Sequence, residues 1–481
     1  MENYQTLLAA VTPTEGHADE VSATAPAVAT REVFDPATGA SIGLAPVHTT
    51  ADLDAAVERA VAAQPAWAAR SDDERRATLH RVADAIEAAA EPLAELLSRE
   101  QGKPLNGPNA RFEVQACANW LRATAETPLP TEVVVDDGET YAELHYRPVG
   151  VVGVISPWNW PMMIAIWQIG PALRMGNTVV AKPSEYTTLS GLALIAVMNQ
   201  ELPDGVLGVV AGAGDLGAAL VARPEFGKIM FTGSTATGRR IIESSAGNLT
   251  RLTLELGGND AGIVLPDVDP AAIAEGLFWG AFINTGQTCA AMKRLYVHDS
   301  VYDEVCEALR TVAAQMPMGV GLDERNVLGP LQNRMQFDVV DRLVETAKAG
   351  GARVLLGGEP DRAAVGNFYP TTLVADIDPH DPLVQEEQFG PALPIIRYTD
   401  LDEAIALANE VEVGLGASVW SADRDRAREV AVRLEAGTVW INSHGGVHPM
   451  IPFGGVKQSG YGLEFGVEGL KSVSVPQVLN G

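Results

Sequence analysis

The chain has 481 residues, of which 47% are hydrophobic and 20% charged, so it is long enough for two or three globular domains with a sizeable core. Its formal net charge of −28 opposes binding to nucleic acid or to anionic membranes, because attraction to phosphate comes from Lys and Arg. We therefore expect neither as a partner. An anionic ligand would need local backbone N–H groups and a few placed cations.

The cysteines Cys117, Cys289 and Cys306 are too few for a disulfide framework, and their odd number suits a reducing compartment. They show no metal-ligand spacing, so we expect no metal site. The N-terminal residues lack the basic and apolar segments of a secretory signal. The cytoplasm is the expected location.

The first elements are helical. Residues 1–29 are rich in Ala, Thr, Glu and Pro without clear periodicity, and they predict a loosely held arm with room for one short helix. Residues 50–97 follow a helical pattern, and Ser71 and Glu74 have the spacing of a capping box at the start of a second helix.

The segment from Thr131 to Arg147 alternates its side chains around Asp137 and Gly138, which predicts an exposed hairpin suited to an oligomer contact. The uncharged stretch that follows, residues 148–173, is long enough to span a bilayer. Its three prolines and its Val/Ile/Gly start favour a buried strand followed by a turn instead.

Further along, apolar strand-like runs alternate with helical segments. Residues 149–256 predict one parallel, doubly wound α/β sheet, and residues 260–440 predict a second domain of the same class. The fold class is therefore α/β, with two doubly wound parallel-sheet domains plus a small β arm for oligomerisation.

Three residues stand where chemistry could occur. Cys289 follows a Gly-containing turn, where N–H groups could lower its pKa, although a small buried hydrophobe remains possible. Glu255 lies in an apolar strand. Desolvation there would raise its pKa, which suits a general base; the alternative is a structural ion pair or an edge position. Asn159, in the rigid turn PWNWP, could donate to an oxyanion or serve only the turn.

Two segments could hold a dinucleotide. Lys182 and Glu185 follow the strand TVV at its carboxyl end, the ligand edge of an open α/β sheet, where a carboxylate can accept from ribose hydroxyls. The later turn FTGSTATG offers N–H groups to a pyrophosphate. Such a turn, which is not a G-x-G-x-x-G, can also be purely structural.

Taken together, these segments closely resemble the NAD(P)-dependent aldehyde dehydrogenase superfamily, through PWNWP, AKPSE, FTGSTATG, LELGG, NTGQTC, EEQFGP and PFGGVKQSG in order. The resemblance runs from FDPATG near Phe34 to Val473. It implies oxidation of an aldehyde to a carboxylic acid by a homodimer or homotetramer, with NAD preferred and NADP possible.

The resemblance assigns Cys289 as nucleophile, Glu255 as general base for thioester hydrolysis, and Asn159 with the Cys289 N–H as oxyanion hole. It also implies a set of cofactor contacts. These are Ile155, Ser156, Trp158, Lys182, Ser184, Glu185, Gly212, Gly217, Phe231, Gly233, Ser234, Thr237, Leu256, Glu387 and Phe389.

The substrate tunnel implied by the resemblance is apolar at all but one position. Its residues are Trp160, Ile164, Trp167, Ile283, Thr288 and Phe453. No Lys or Arg stands among them to pair with a second carboxylate, so we expect an aromatic or medium-chain apolar aldehyde.

The implied domains are an N-terminal arm (1–29), a dinucleotide-binding domain (30–128 and 148–255), a catalytic domain (256–445) and an oligomerisation arm (129–147 and 459–481). The chain departs from the common pattern at Ala261, where Pro often stands, and in the loop SHGGVHPMI, whose His444 and His448 we interpret as surface polar residues rather than a metal or acid/base pair.

Two alternatives stay open. A CoA-acylating enzyme would release the thioester to CoA, against which Glu255 argues. A catalytically silent binding protein on the same scaffold would not need Cys289, Glu255 and Asn159 together.

Overall fold

The computed structural model describes residues 4–11 and 29–481. Of the N-terminal arm, one short helix is described, and residues 1–3 and 12–28 lie outside the described part.

The helices of the described residues are α1 (Tyr4–Val11), α2 (Thr50–Ala68), α3 (Asp72–Ala88), α4 (Ala90–Gln101), α5 (Ala110–Glu126), α6 (Pro161–Arg174), α7 (Thr188–Met198), α8 (Gly214–Val221), α9 (Thr235–Ser245), α10 (Pro270–Phe282), α11 (Tyr302–Ala313), α12 (Arg334–Ala349), α13 (Pro382–Gln385), α14 (Leu401–Glu410), α15 (Arg424–Ala431) and α16 (Gly466–Ser472). Short 3₁₀ helices cover Glu185–Thr187, Ile283–Gly286 and Asp299–Val301.

The strands are β1 (Thr30–Phe34), β2 (Ser41–Pro46), β3 (Glu132–Asp136), β4 (Tyr141–Pro148), β5 (Val151–Ile155), β6 (Thr178–Lys182), β7 (Leu207–Val209), β8 (Phe226–Thr232), β9 (Arg251–Glu255), β10 (Asp260–Val264), β11 (Met292–His298), β12 (Arg353–Leu356), β13 (Thr372–Ala375), β14 (Ala392–Tyr398), β15 (Val413–Gly414), β16 (Gly416–Trp420), β17 (Thr438–Ile441), β18 (Val456–Lys457), β19 (Gly460–Tyr461) and β20 (Ser474–Asn480).

The predicted capping box is confirmed at the start of α3. The Ser71 side chain accepts from the Glu74 backbone N–H, and the Glu74 carboxylate accepts from the Ser71 backbone N–H at 2.7 Å. These two bonds satisfy donors that the first turn of a helix leaves unpaired. A second box, from Thr49 and Asp52, begins α2.

The first sheet has six strands in the order β19-β9-β8-β5-β6-β7. The five strands from β9 to β7 run parallel, which confirms the predicted doubly wound sheet, and β19 adds an antiparallel edge beside β9. All residues of β5 and β6 are buried, because helices cover both faces of a parallel sheet. The carboxyl ends of four long strands therefore meet at one edge.

The second sheet has seven strands in the order β12-β13-β14-β11-β10-β16-β17. Its strands run parallel except β12, which pairs antiparallel with β13 at the edge. The prediction of a second parallel domain is thus confirmed, with one antiparallel edge strand that the sequence pattern did not distinguish.

The predicted hairpin is confirmed as β3 and β4, with Gly138 at φ +86° in its turn. The C-terminal strand β20 pairs antiparallel with β4 along its whole length, forming a three-stranded sheet that we call the arm sheet. Several large apolar side chains of the arm sheet face solvent. Their exposed fractions are 58% for Val133, 60% for Val134, 62% for Val478 and 45% for Leu479.

The uncharged stretch around residues 148–173 forms β5, the PWNWP turn and the buried helix α6. Within the described ranges, no helix has the length and apolar character needed to cross a membrane.

Candidate active site

The carboxyl edge of the first sheet opens into a cavity of about 710 Å³. Parallel pairing brings to this edge the ends of β5, β6, β8 and β9, which lie far apart in the chain. Asn159 and Cys289 line the cavity, and fourteen of the implied cofactor residues line it with them. These are Ile155, Ser156, Trp158, Lys182, Ser184, Glu185, Gly217, Phe231, Gly233, Ser234, Thr237, Leu256, Glu387 and Phe389.

Gly212 is the implied cofactor residue that does not line the cavity. A Cβ at this position would lie 2.7 Å from the Leu216 side chain, so the glycine serves close packing against the start of α8.

A strained turn presents Cys289 to the cavity. Asn284 and Thr285 have φ values of 51° and 58°, and Gly286 follows at +76°. Successive left-handed residues are costly unless their surroundings hold them. Here the Thr285 hydroxyl donates to the Gly329 carbonyl at 3.2 Å, and the Gly329 N–H donates back to that hydroxyl at 3.0 Å.

Cys289 is half-buried, and its backbone carbonyl accepts from the Lys293 ammonium at 2.8 Å. Burial raises the pKa of Cys289 to about 12; Lys293 lowers it, and the carboxylates of Glu387, Asp260 and Glu255 raise it further. The lowered pKa expected from the sequence is therefore not found, because desolvation outweighs the single nearby cation.

Asn159 is held from both ends. Its Nδ2 donates to the Gln287 carbonyl at 2.9 Å, which ties the amide to the turn that carries Cys289. The Asn159 backbone carbonyl accepts from Lys103 Nζ at 2.7 Å and from Asn284 Nδ2 at 2.9 Å. The Cys289 backbone N–H has no acceptor in the described part of the chain, so it can donate to a bound oxygen.

Glu255, the last residue of β9, is buried, and neither of its carboxyl oxygens has a hydrogen-bond partner among the described residues. Desolvation first, and the neighbouring Glu464 second, raise its pKa well above the ordinary value. Burial also raises the pKa of Glu464 to about 7, although Gln168 donates to it at 3.1 Å. Two neighbouring buried carboxyls titrate as a coupled pair. Nothing in the local sequence pointed to Glu464.

The turn after β6 and the start of α9 form the far half of the cavity. Lys182 Nζ lies 4.0 Å from a Glu185 carboxyl oxygen, and burial lowers the pKa of Lys182. The Ser234 side chain caps α9 by accepting from the Thr237 N–H, so the positive end of the helix faces the cavity. Lys182 and Arg240 line the cavity and supply the local positive charge that an anionic ligand needs in so acidic a chain.

Near Cys289, Glu387 Oε1 accepts from the Gly258 N–H at 3.2 Å and lies 3.5 Å from Lys293 Nζ. Burial nevertheless raises the pKa of Glu387. The Phe389 and Trp158 rings meet edge to face at 5.3 Å between centroids. This part of the cavity thus combines a carboxylate acceptor with an aromatic wall.

The implied substrate residues do not line this cavity. Trp160, Ile164, Trp167 and Phe453 are buried in one apolar cluster, against which Ile283 and Cys289 pack, while Thr288 is half-buried beside them. The cluster also contains aromatic residues that the sequence did not single out. Phe465 contacts Trp167 at 4.8 Å and Phe453 at 5.9 Å, and Trp120 contacts Trp167 at 5.4 Å between centroids.

The interpretation of His444 as a surface residue was wrong. Its side chain is fully buried 3.6 Å from the Asp260 carboxylate, and Nδ1 lies 2.8 Å from the Ser418 hydroxyl. The glycines around it let the loop fold inward, as Gly445 at φ +74° shows. His448 is exposed, as expected.

Sequence reasoning missed most of the two helix faces that line the cavity. On α8 the lining residues are Gly214, Gly217, Ala218 and Val221, and on α9 they are Thr237, Arg240, Ile241 and Ser244. Both sets repeat at i, i+3, i+4 and i+7, the spacing of one helix face. Extending the implied Gly217 and Thr237 along that spacing would have found the others. Lining residues from α12, such as Met335 and Gln336, carry no such signal.

Comparisons with known proteins agree with this geometry. The chain is 38% identical to the phenylacetaldehyde dehydrogenase of Pseudomonas fluorescens over 94% of its length and 92% of that protein, and 37% identical to the glutarate-semialdehyde dehydrogenase of Pseudomonas putida over 91% and 92%. A crystal structure of PnpE in complex with nicotinamide adenine dinucleotide matches with a TM-score of 0.90 at 39% identity, over 94% of each chain.

A family model described as the aldehyde dehydrogenase family matches residues 24–478, nearly the whole chain. With the sheet topology, the cavity at its carboxyl edge and these relatives, the conclusion follows that this chain belongs to the aldehyde dehydrogenase family and is an aldehyde-oxidising enzyme.

Proposed function

We propose that the protein oxidises an aromatic or medium-chain apolar aldehyde to a carboxylic acid with NAD, through a thiohemiacetal and a thioester on Cys289. The observation that carries the proposal is that Cys289 and Asn159 line one cavity with the cofactor edge, and that the buried Glu255 ends β9 at the same edge of the sheet.

In the first step Cys289 Sγ attacks the aldehyde carbon and forms a C–S bond. The thiol proton leaves to a water molecule in the open cavity, and Glu255 is kept for the later hydrolysis step. The aldehyde oxygen gains negative charge and accepts from Asn159 Nδ2 and the Cys289 N–H. Both donors are positioned before the reaction begins.

The cavity fits a dinucleotide, since it lies within the roughly 300–1,000 Å³ range of ligand pockets and has a helix N-terminus and two cations along it. We propose that Lys182, Ser184 and Glu185 hold the adenosine ribose, the turn at Gly233 and Ser234 holds the pyrophosphate, and Glu387 holds the nicotinamide ribose. When bound, NAD accepts the hydride from the aldehyde carbon.

Release of the acid needs water to attack the thioester on Cys289. Glu255 takes a proton from that water, the C–S bond breaks, and the leaving thiolate takes the proton back from Glu255, which regenerates the thiol. A CoA-acylating enzyme would need no buried base for this step, so Glu255, whose two carboxyl oxygens have no partner among the described residues, favours hydrolysis.

The apolar aldehyde is proposed from the cluster that packs against Cys289. The cluster is rich in Trp and Phe, and the nearby Lys103 is fully buried in an ion pair with Glu113, so it is not available to a substrate carboxylate. Sequence identity does not decide between an apolar aldehyde and a semialdehyde, because both kinds of relative match about equally, at 38% and 37%.

We also propose the domain division expected from the sequence, a cytoplasmic location for a chain with three free cysteines, and a homodimer or homotetramer formed through the arm sheet. Exposed valines on a three-stranded sheet with two open edges support the last point.

Replacing the nucleophile tests the reaction. Cys289→Ala should abolish NADH formation with every aldehyde while NAD binding persists, because no other thiol lines the cavity in the described chain. The control Cys306→Ala, at a buried helical cysteine, should keep its activity. The measurement is NADH absorbance over a panel of aldehydes. Activity in Cys289→Ala would contradict the mechanism, and succinic semialdehyde giving the highest kcat/KM would contradict the substrate class.

Replacing the base separates the two chemical steps. Glu255→Gln should release a burst near one NADH per active site and then turn over slowly. In the wild type, turnover should rise with pH as Glu255 loses its proton. Glu464→Gln should move this rise to lower pH, because the charge of Glu464 raises the pKa of Glu255. Stopped-flow absorbance measures the burst and the pH dependence of turnover. Full steady-state turnover in Glu255→Gln would contradict the role of Glu255 as general base.

The carboxylate of Glu185 should disfavour NADP by repelling its 2′-phosphate. Glu185→Gln should raise the NADP to NAD ratio of kcat/KM by about tenfold or more, since charges about 4 Å apart near a protein surface repel by a few kcal/mol. Glu225→Gln, just before β8 at the opposite edge of the sheet, is the matched control. An unchanged NADP to NAD ratio of kcat/KM in Glu185→Gln would show that the carboxylate does not discriminate between the two cofactors.

The oligomer can be measured by light scattering. The wild type should have at least twice the monomer mass of 50.8 kDa, and Val134→Glu should shift it toward the monomer by placing a charge on the arm sheet. Val432→Glu, at an exposed valine outside the arm sheet, should leave the mass unchanged. A wild type of monomer mass would contradict the proposal.

A further inference from the structure

An ion pair is buried directly behind Asn159. Lys103 Nζ lies 2.6 Å from a Glu113 carboxyl oxygen, and both side chains are fully shielded from solvent. Burial lowers the pKa of Lys103 to about 8, and Glu113 opposes that lowering. Neither residue lines the cavity, so the mechanism above does not use them.

Both members of the pair also bind backbone groups, one within the PWNWP turn and the other at the start of the helix that follows it. Lys103 Nζ donates to the Asn159 carbonyl at 2.7 Å. The second Glu113 oxygen accepts from the Met162 N–H at 2.9 Å and the Met163 N–H at 3.1 Å, at the start of α6. No side chain of the N-cap residue serves that helix end, so Glu113 supplies its cap.

The pair reaches the nucleophile by a second route. Lys103 Nζ lies 3.6 Å from the centroid of the Trp160 ring, whose indole N–H donates to the Thr288 hydroxyl at 2.9 Å. Thr288 directly precedes Cys289. One cation thus fixes the peptide of Asn159 and the ring that touches the Cys289 turn.

Stability alone does not account for this arrangement. A buried ion pair is weak support for a fold, because desolvation offsets its attraction and apolar residues of similar volume often serve as well. The hydrogen bonds of this pair converge instead on the segment that begins with Asn159. A donor to an oxyanion must be held closely, since a misplacement of about 1 Å can cost roughly 10²-fold in rate.

We propose that Lys103 and Glu113 are a positioning pair that holds the Asn159 amide in place for the developing oxyanion. This inference rests on the proposed function, in which Asn159 is the oxyanion donor. The pair acts through Asn159 and does not touch the substrate.

A double-mutant cycle on kcat tests the proposal. The pair variant Lys103→Met with Glu113→Gln removes both charges and keeps an oxygen to cap α6. We expect its kcat to fall about 10²-fold with the KM values unchanged, which is near the loss of about 10²–10³ for removing an oxyanion donor. In an Asn159→Ala background the same two changes should lower kcat by less than about threefold.

Losses that multiply in the combined variant would overturn the proposal, because they would show that the pair acts independently of Asn159. Wild-type kcat in the pair variant would overturn it as well. If the pair variant does not fold, Glu113→Gln alone is carried through the same cycle with the same criteria.

A control variant separates positioning from folding. Arg174 lies at the other end of α6, where its buried side chain forms an ion pair with the partly exposed Asp72. Arg174→Met should lower the thermal midpoint while kcat stays within about threefold of the wild type. An equal loss of kcat in Arg174→Met would assign the effect to general destabilisation and overturn the proposal.

Failure of the proposed function looks different. A wild type that forms no NADH with any aldehyde, or an Asn159→Ala variant with full kcat, would remove the assigned reaction or the oxyanion donor itself. A slow Asn159→Ala variant beside a fully active pair variant would remove only the positioning role.

Discussion

The parallel register of the first sheet is the constraint on which the site depends. It sets Ile155 beside Lys182 and Phe231, and Thr232 beside Glu255, so four strand ends open at one edge. Because side chains alternate along a strand, a shift of one residue would turn Glu255 away from its present face. The cavity, the turn of Asn159 and the cap of α9 all follow from strands that end together.

The chemistry at this edge takes place among buried charges. Glu255 faces Glu464, Glu387 faces Lys293, and desolvation raises the pKa of all three carboxyls and of Cys289. The thiol of Cys289, the proposed nucleophile, lies among these desolvated groups. The same low polarity strengthens hydrogen bonds to a developing oxyanion.

Asn159 and the turn before Cys289 are held in place by residues that do not line the cavity. Lys103 and Asn284 both donate to the Asn159 backbone carbonyl, and the strained turn before Cys289 is held by Gly329. These contacts join α5, α6 and the turn that follows α10 into one support. Few residues then need to contact the reactants, because neighbouring residues outside the cavity hold them in position.

The sequence by itself determined the class of fold, the capping box at Ser71 and the hairpin, and it singled out Cys289, Asn159 and Glu255 as candidates, because periodicity, turn chemistry and short motifs are local properties of the chain. Only the tertiary structure decided the antiparallel edge strand β12, the burial of His444 and the electrostatic influence of Glu464 on Glu255. It also reversed the expected pKa shift of Cys289. Desolvation and charge pairing depend on what packs around a group, and residues distant in sequence supply that packing.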